Sequence, residues 1–60
     1  MCLSTVRRES DPDDILMEYV SKIEISGDQI TMTDLMGAKK TVTGSLTFAD
    51  LTGAEIRIAC

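Results

Sequence analysis

Cys2 is the residue whose type and position together could do metal chemistry. When the initiator methionine is removed, Cys2 carries a free α-amine and a thiol two carbons apart, and the nitrogen and sulfur can close a five-membered chelate ring. When Met1 is kept, its amine, the deprotonated Cys2 amide nitrogen and the Cys2 sulfur form two fused five-membered rings. Either form supplies a compact set of nitrogen and sulfur ligands.

The choice of metal follows from the acidity of these groups. An amine that titrates near about 8 and a thiol near about 8.5 compete with protons at neutral pH, so the metal must be able to displace those protons. Late first-row divalent ions can do so, and nickel and copper(II) also favour a square-planar field. Two chelates from a twofold dimer would complete that field, whereas zinc would hold the same four donors as a tetrahedron.

A second chemistry open to Cys2 is that of an N-terminal nucleophile, in which the thiol attacks an acyl carbon and its own amine serves as base. Such an enzyme needs an oxyanion hole and a cavity of several hundred cubic ångströms, and sixty residues with a thin aliphatic core leave little room for one. The sequence has no histidine, which excludes Ser-His-Asp and Cys-His catalysis and histidine-based zinc sites. We therefore predict a protein that is not an enzyme.

Two further groups of side chains could bind metal. Segment 9–14 carries four carboxylates, but it lacks the turn glycine and the closing glutamate of a calcium loop, so a solvated loop is favoured. Cys60 shares the alternation of Ile56 and Ile58, which predicts a small thiol packed on apolar neighbours. A second sulfur beside Cys2 and an interchain disulfide are the alternatives for Cys60. The four carboxylates belong to Glu9, Asp11, Asp13 and Asp14.

Charge and length limit the remaining function classes. Ten acidic residues against six basic ones give a formal charge of −4, which disfavours binding to a phosphate backbone. No apolar run reaches the length of a signal peptide or the roughly 20 residues of a membrane span, so we predict a soluble cytoplasmic protein with reduced thiols. A 60-residue chain buries only about 60% of its unfolded surface. We therefore predict one small β domain over residues 1–60 that forms a homodimer.

Alternation of apolar and polar residues indicates strands along most of the chain. It runs from Ile15 to Ile25 with apolar side chains at the odd positions and a bend near Ser21. A Gly27-Asp28 turn and a further alternating run, 29–33, then predict a hairpin. Before this hairpin, segment 2–9 is predicted as an edge or interface strand, and segment 10–14 as a polar loop, with a short helix over 12–17 as the alternative.

The second half of the sequence continues this pattern. The run 40–48 places Val42, Gly44, Leu46 and Phe48 on one face, and Gly44 within it predicts a bulge or a sharp bend. A last strand over 54–59 directs its two isoleucines inward. The prediction is an all-β fold of five or six short antiparallel strands in a meander, closing as a small barrel or half-barrel whose open edge pairs with a second copy.

Three segments in this order resemble a known family. They are Met1-Cys2, then ILMEYVSKIEISGDQITMTDLMG with its M-E-x-V-x-x-I and G-D-x-I patterns, and after a basic turn SLTFADLTGAEIRI with its D-L-x-G turn. Together they resemble the CooT family of small nickel-binding accessory proteins. Cys60 is not part of the family pattern.

The resemblance implies a cytoplasmic homodimer with a small β-barrel-like fold that handles nickel for the maturation of carbon monoxide dehydrogenase. It implies that Cys2 carries the metal, together with Met1 where Met1 is kept, and we expect about one Ni(II) per dimer. The expected partners are carbon monoxide dehydrogenase or its other maturation factors. A small RNA-binding module of similar fold is the alternative, against which the acidic balance and the scarcity of aromatic residues argue.

Overall fold

A computed structural model describes residues 3–60, and it confirms an all-β fold with six strands and no helix in this range. The strands form one sheet in the order β4-β3-β2-β1-β6-β5, in which β1 and β6 are parallel and every other neighbouring pair is antiparallel. The prediction of purely antiparallel strands is therefore wrong. The strands are β1 (Ser4–Arg8), β2 (Asp11–Ser26), β3 (Gln29–Asp34), β4 (Lys39–Thr43), β5 (Ser45–Asp50) and β6 (Glu55–Ala59).

The sheet is curled but not closed. Its two edge strands, β4 and β5, follow one another in the chain with only Gly44 between them, so the two edges must approach each other at this corner. The Gly44 N–H donates to the Asp28 carbonyl oxygen at 2.7 Å. Because β4 and β5 do not pair in the described residues, the sheet is not closed into a barrel, so of the two predicted forms, a barrel or a half-barrel, the barrel is wrong. The predicted bend at Gly44 is confirmed.

β1 is an interior strand, not the predicted edge strand. It lies between β2 and β6, and Val6 at its centre is fully buried. The Thr5 N–H donates to the Ala54 carbonyl oxygen and the Glu9 N–H to the Ile58 carbonyl oxygen, both at 2.9 Å. These bonds hold β1 along the whole of β6, so the first and last strands of the chain are neighbours in the middle of the sheet.

β2 begins earlier than the sequence predicts. Asp11 pairs with Arg8 and Ile15 pairs with Arg7, so the residues between Asp11 and Ile15 form a bulge within the strand. Neither the predicted polar loop over 10–14 nor the alternative helix over 12–17 is therefore present. A bulge is a position where a strand tolerates proline, because no ladder donor is needed there. This accommodates Pro12, whose carbonyl oxygen accepts a hydrogen bond from Arg7 Nη1 at 2.9 Å.

The predicted alternation along β2 is shifted by a second bulge. Ser4 pairs with Val20 but Val6 pairs with Met17, so β2 has one more residue than β1 in this stretch, and Tyr19 adopts a left-handed φ of 57°. A one-residue slip exchanges the two faces of a strand. Another register shift lies at Leu16, between the pairs Val6–Met17 and Arg7–Ile15. The buried residues of β2 are consequently Leu16 and Val20, whereas Met17 and Ile23 of the odd-numbered set are partly buried against the core. A further register shift between Val20 and Lys22 confirms the bend near Ser21.

The other predicted elements are confirmed where alternation is uninterrupted. Ser26 and Gln29 pair across the Gly27-Asp28 turn, and Gly27 has a φ of 60°. Ile30 and Met32 on β3 and both isoleucines of β6 are buried. The buried core consists of Val6, Leu16, Val20, Ile30, Met32, Ile56 and Ile58.

β5 departs from its predicted face. Leu46 pairs with Ile58, but after a register shift Phe48 pairs with Arg57. Phe48 therefore lies on the outer face, where the Arg57 guanidinium carbon is 4.9 Å from its ring centroid. The prediction that Leu46 and Phe48 share a face is wrong, because the bulge at Thr47 intervenes.

We expect Gly44→Ala to lower the free energy of unfolding by about 1–3 kcal/mol, because a Cβ at this position would collide with the Ala59 carbonyl oxygen and lie 2.9 Å from Cys60 Cβ. Urea denaturation followed by circular dichroism measures the change. Gly37→Ala is the matched control, since its φ of 87° strains an alanine but no atom lies within 4 Å of the added Cβ. A smaller loss at Gly44 than at Gly37 would contradict the close approach of the corner to β6.

Candidate functional site

The predicted metal ligands, Met1 and Cys2, lie outside the described residues. Covalent geometry still limits where Cys2 can act, because two trans peptide units place its Cα at most about 7.6 Å from the Cα of Ser4. Ser4 is the first residue of β1 and pairs with Val20. The surroundings of Ser4 therefore define the candidate site.

A groove of about 250 Å³ opens beside Ser4. Val20 and Ile56, which belong to the core, give it an apolar floor. Among the described residues that line the groove, the charged one is Lys22. Lys22 Nζ lies 3.8 Å from Glu24 Oε1, and both side chains are exposed. The described lining is Ser4, Val20, Ser21, Lys22, Ile23, Leu51 and Ile56.

A second groove, of about 280 Å³, is almost entirely apolar. Tyr19, Leu35 and Met36 line it, together with Asp34. Its backbone is near that of the first groove, because Tyr19 precedes Val20 in the chain and Asp34 pairs with Val20 across the sheet. The two recesses with apolar walls thus draw on neighbouring backbone positions in β2 and β3.

The turn that carries Leu35 and Met36 is held by one carboxylate. Asp34 Oδ1 accepts hydrogen bonds from the Met36 and Ala38 N–H groups, each at 2.9 Å. The Leu35 N–H donates to the Tyr19 carbonyl oxygen at 2.8 Å, which ties the turn to the bulge in β2. An Asp that bonds the main chain two residues on is a standard way to fix a turn. The apolar side chains therefore project from a backbone with defined geometry.

The turn after β5 is built in the same way. Asp50 Oδ1 accepts hydrogen bonds from the Thr52 N–H at 3.1 Å and the Gly53 N–H at 2.9 Å. Its Leu51 is exposed, as is Leu35 in the other turn. Both turns have the sequence D-L-x-G, over 34–37 and 50–53. The same four-residue motif thus presents an exposed leucine twice.

Cys60 lies far from Ser4. Because Thr5 pairs in parallel with Glu55, Cys60 is six strand positions beyond the level of Ser4, which corresponds to roughly 20 Å. The Cα of Cys2 lies within about 7.6 Å of the Cα of Ser4, so it stays at least about 12 Å from the Cα of Cys60. A disulfide allows a Cα separation of only about 7 Å. An intrachain disulfide and a second sulfur ligand from the same protomer are therefore excluded. The predicted apolar packing of Cys60 is wrong, because its side chain is exposed.

The acidic segment 9–14 makes local contacts at the end of the sheet that carries Cys60. Asp14 Oδ2 accepts a hydrogen bond from Arg8 Nε at 2.8 Å, and Arg8 Nη1 also donates to the Cys60 main-chain oxygen at 3.1 Å. The hydrogen bond to Asp14, followed by the negative charge at Cys60, raises the pKa of Arg8. Asp11 Oδ1 accepts from the Asp13 N–H at 3.2 Å. Within residues 3–60, no group of three acidic or cysteine side chains has the arrangement of a metal site.

Alternation in the sequence does not predict the exposed apolar side chains around the start of β1. It placed Tyr19 on an alternating face and treated residues 51–53 only as a turn. The signal that could have revealed them is the repeat of D-L-x-G, since a turn that displays leucine twice is unusual for a solvated loop.

A family model described as CO dehydrogenase accessory protein CooT matches residues 1–59 of the chain. The match covers the segment that holds Met1 and Cys2, as well as all six strands. A search of curated proteins finds no match. Among residues 3–60 there is no helix of the length and apolarity that crossing a membrane requires.

We expect Asp34→Ala to lower the free energy of unfolding by about 1–2 kcal/mol, because two turn N–H groups lose their carboxylate acceptor. Asp34→Asn, which keeps the accepting Oδ1, should retain most of this stability. Asp28→Ala in the other hairpin turn is the control and should cost less than about 0.5 kcal/mol. Urea denaturation measures all three, and equal losses for the alanine and asparagine variants would show that these hydrogen bonds do not stabilise the turn.

Proposed function

The chain belongs to the CooT family of CO dehydrogenase accessory proteins, and from this premise we propose that it is a nickel metallochaperone and not an enzyme. Two protomers hold about one Ni(II) between them through their Cys2 residues, with Met1 contributing where it is kept. The recipient is carbon monoxide dehydrogenase or one of its other maturation factors. Its location in the cytoplasm stays a prediction.

The observation that supports this proposal is the fixed position of Ser4. β1 is hydrogen-bonded on both sides, so the chain leaves the sheet at a defined point two residues after Cys2. A ligand on so short a tether can reach only a small volume, because Ser4 is fixed in the sheet and the Cα of Cys2 lies within about 7.6 Å of it. The family match extends over the same two residues.

The chemistry of the ligands explains how such a site would load and unload. Nickel binding releases protons from the amine and the thiol, so affinity rises with pH through the range in which these groups titrate. Two nitrogen and two sulfur donors suit a square-planar ion, which leaves both faces of the metal open. An incoming ligand of the recipient can then bind before a donor of this protein leaves. The cargo would then be transferred without passing through a free ion.

We expect Cys2→Ser to lower nickel affinity at least 100-fold in an equilibrium titration, because the hydroxyl of serine is a far poorer ligand than a thiolate for this ion. Thiolate-to-nickel charge-transfer absorption should disappear with it. Cys60→Ser is the matched control and should bind nickel as the wild type does, since Cys60 lies roughly 20 Å from Ser4. Unchanged affinity in Cys2→Ser would refute the site.

We expect a tag fused ahead of Met1 to weaken nickel binding even though Cys2 is intact, because the fusion removes the terminal amine from the ligand set. Cleaving the tag so that the amine is restored should recover the affinity. Both states are compared by calorimetric titration in one buffer. Equal affinity before and after cleavage would show that the thiolate binds nickel without the amine.

The alternative function, a small RNA-binding module, would need a basic surface, and one pair of arginines lies on the sheet. Arg7 and Arg57 are neighbours on parallel strands, and Arg57 lies over the ring of Phe48. Both guanidinium groups are already engaged, because Arg57 Nη2 lies 2.7 Å from Glu55 Oε2 and Arg7 donates to a main-chain oxygen. With a formal charge of −4 on the chain, this surface favours nickel handling over RNA binding.

A further inference from the structure

We propose that the free edge of β5, the side of this strand that faces away from β6, binds an extended segment of a partner protein. The segment adds to the sheet as a further strand, with β-branched residues at its centre and a lysine or arginine at its flanks. This docking involves neither nickel nor its ligands, so it goes beyond the proposed function and can be tested without metal.

The main chain of β5 has hydrogen-bonding groups that no described strand uses. β5 is the last strand of the sheet, and its neighbour is β6. The carbonyl oxygens of Ala54 and Ile58 accept hydrogen bonds from β1, so by alternation the even-numbered residues of β6 face β1 and the odd-numbered ones face β5. Leu46 and Ala49 both pair with even-numbered residues of β6. Their own N–H and C=O groups therefore point to the free edge.

The two edge strands of the sheet differ in how they are protected from pairing. Lysine or proline on an edge strand discourages the addition of another strand. β4 begins with Lys39 and Lys40, and Lys40 Nζ also donates to the Leu16 carbonyl oxygen at 3.4 Å. β5 has neither lysine nor proline, and all six of its residues are exposed. Of the two edges that the structure describes, β5 is thus the one open to a further strand.

A bulge at Thr47 restricts what can pair with this edge. Thr47 and Phe48 both lie opposite Arg57, and Thr47 Oγ1 donates to the Arg57 carbonyl oxygen at 3.2 Å. The outward-facing residues on either side of the bulge, Leu46 and Ala49, are therefore three positions apart instead of the two of a regular strand. An added strand has to follow this bend, which favours one fitting segment over the indefinite strand addition that leads to aggregates.

The side chains of β5 define the centre of the partner segment. Leu46 and Phe48 lie on opposite faces of the strand and are 41% and 42% exposed. Side chains directly opposite on neighbouring strands lie about 5 Å apart, so an added strand would cover part of both residues. β-Branched side chains suit this position, because they pack well against apolar neighbours on a pleated surface.

The charges around β5 define the flanks of the partner segment. Residues 41–56 contain no lysine or arginine. Asp50 ends the strand, and Asp28 lies beside its start, because the Asp28 carbonyl oxygen accepts a hydrogen bond from the Gly44 N–H. Within residues 3–60, neither aspartate forms an ion pair. Opposite charges on neighbouring strands attract, so a segment with a basic residue at each flank is favoured.

The same charges argue against a second copy of β5 as the occupant. Its sequence, SLTFAD, has no basic side chain to place opposite Asp50. Two copies also bring together chains that each have a formal charge of −4. The edge is therefore better matched to a different protein whose exposed strand or linker is basic.

The probe is the blocked peptide KTVTVTK, titrated into the metal-free, isotope-labelled chain. The amide signals of Leu46 and Ala49 should shift downfield, because their N–H groups gain carbonyl acceptors. The acidic peptide ETVTVTE should bind at least 10-fold more weakly. KTVTVTK with its five central N–H groups methylated should not bind, because it cannot donate to the free edge.

The decisive variant is Ala49→Pro, which removes an outward N–H but no hydrogen bond to β6, as an edge strand tolerates. We expect the peptide to bind at least 10-fold more weakly. Ala49→Ser keeps the N–H and should bind like the wild type. Thr41→Pro makes the equivalent change on β4, where Ala38 and Gly44 bond towards β3 and Thr41 by alternation points outward. It should also bind like the wild type, and circular dichroism verifies the fold of each variant.

Several outcomes would overturn the proposal. These are no binding of KTVTVTK at millimolar concentration, equal binding of the acidic or methylated peptide, and equal binding to Ala49→Pro. Signals that shift only outside β5 contradict it too, and signals of Leu46 and Ala49 that shift on dilution of the chain alone would mean that a second copy occupies the edge. The three peptides decide the matter even if Ala49→Pro does not fold. Since no metal is present, the nickel affinity of Cys2→Ser is judged separately.

Discussion

The parallel pairing of β1 with β6 is the contact on which the rest of this structure depends. Without it, the chain would form one antiparallel sheet of β4, β3, β2 and β1 and a separate hairpin of β5 and β6. The pairing places Val6 directly beside Ile56, and both are buried. It therefore creates the centre of the core from two segments that have little apolar surface of their own.

The same pairing separates Ser4 from Cys60 in space. Because β1 and β6 run in the same direction, Ser4 at the start of β1 and Ala59 at the end of β6 lie at opposite ends of the sheet. One end carries grooves with apolar walls and exposed leucines, and the other carries Arg8 and the acidic residues that it contacts. The topology thus places an apolar surface and a charged surface at the two ends of one strand pair.

The sequence predicts the local elements of this fold well and its long-range order poorly. Alternation correctly assigned the hairpin at Gly27-Asp28 and the buried face of β3, because these depend on neighbours in the chain. It failed between Leu16 and Ser21 and beyond Thr47, where bulges exchange the two faces of the strand and reset the periodicity. It also could not indicate that β1 is interior, since that depends on a partner at the other end of the chain.

The candidate site, like the fold, was only partly predictable from the sequence. Cys2 was predicted as a metal ligand from its covalent chemistry and from the family resemblance, neither of which needs the fold, and the family match extends over it. The surface around the chain start could not be found from periodicity, because its side chains occupy a bulge and two turns in which alternation has no meaning. The structure revealed it through the similar hydrogen bonding of Asp34 and Asp50.

The pairing of first and last strands also sets an order of events during folding. Thr5 and Glu55 are fifty residues apart in the chain, and closing a flexible loop of that length costs about 3.5 kcal/mol of entropy beyond a constant. The hairpin of β2 and β3 closes over two residues and can form far sooner. On the ribosome, β1 can pair with β2 early, but it gains its second neighbour only after β6 has been synthesised. The contact between Val6 and Ile56 at the centre of the core is therefore among the last to form, so β1 is held on both sides only once the chain is complete through β6.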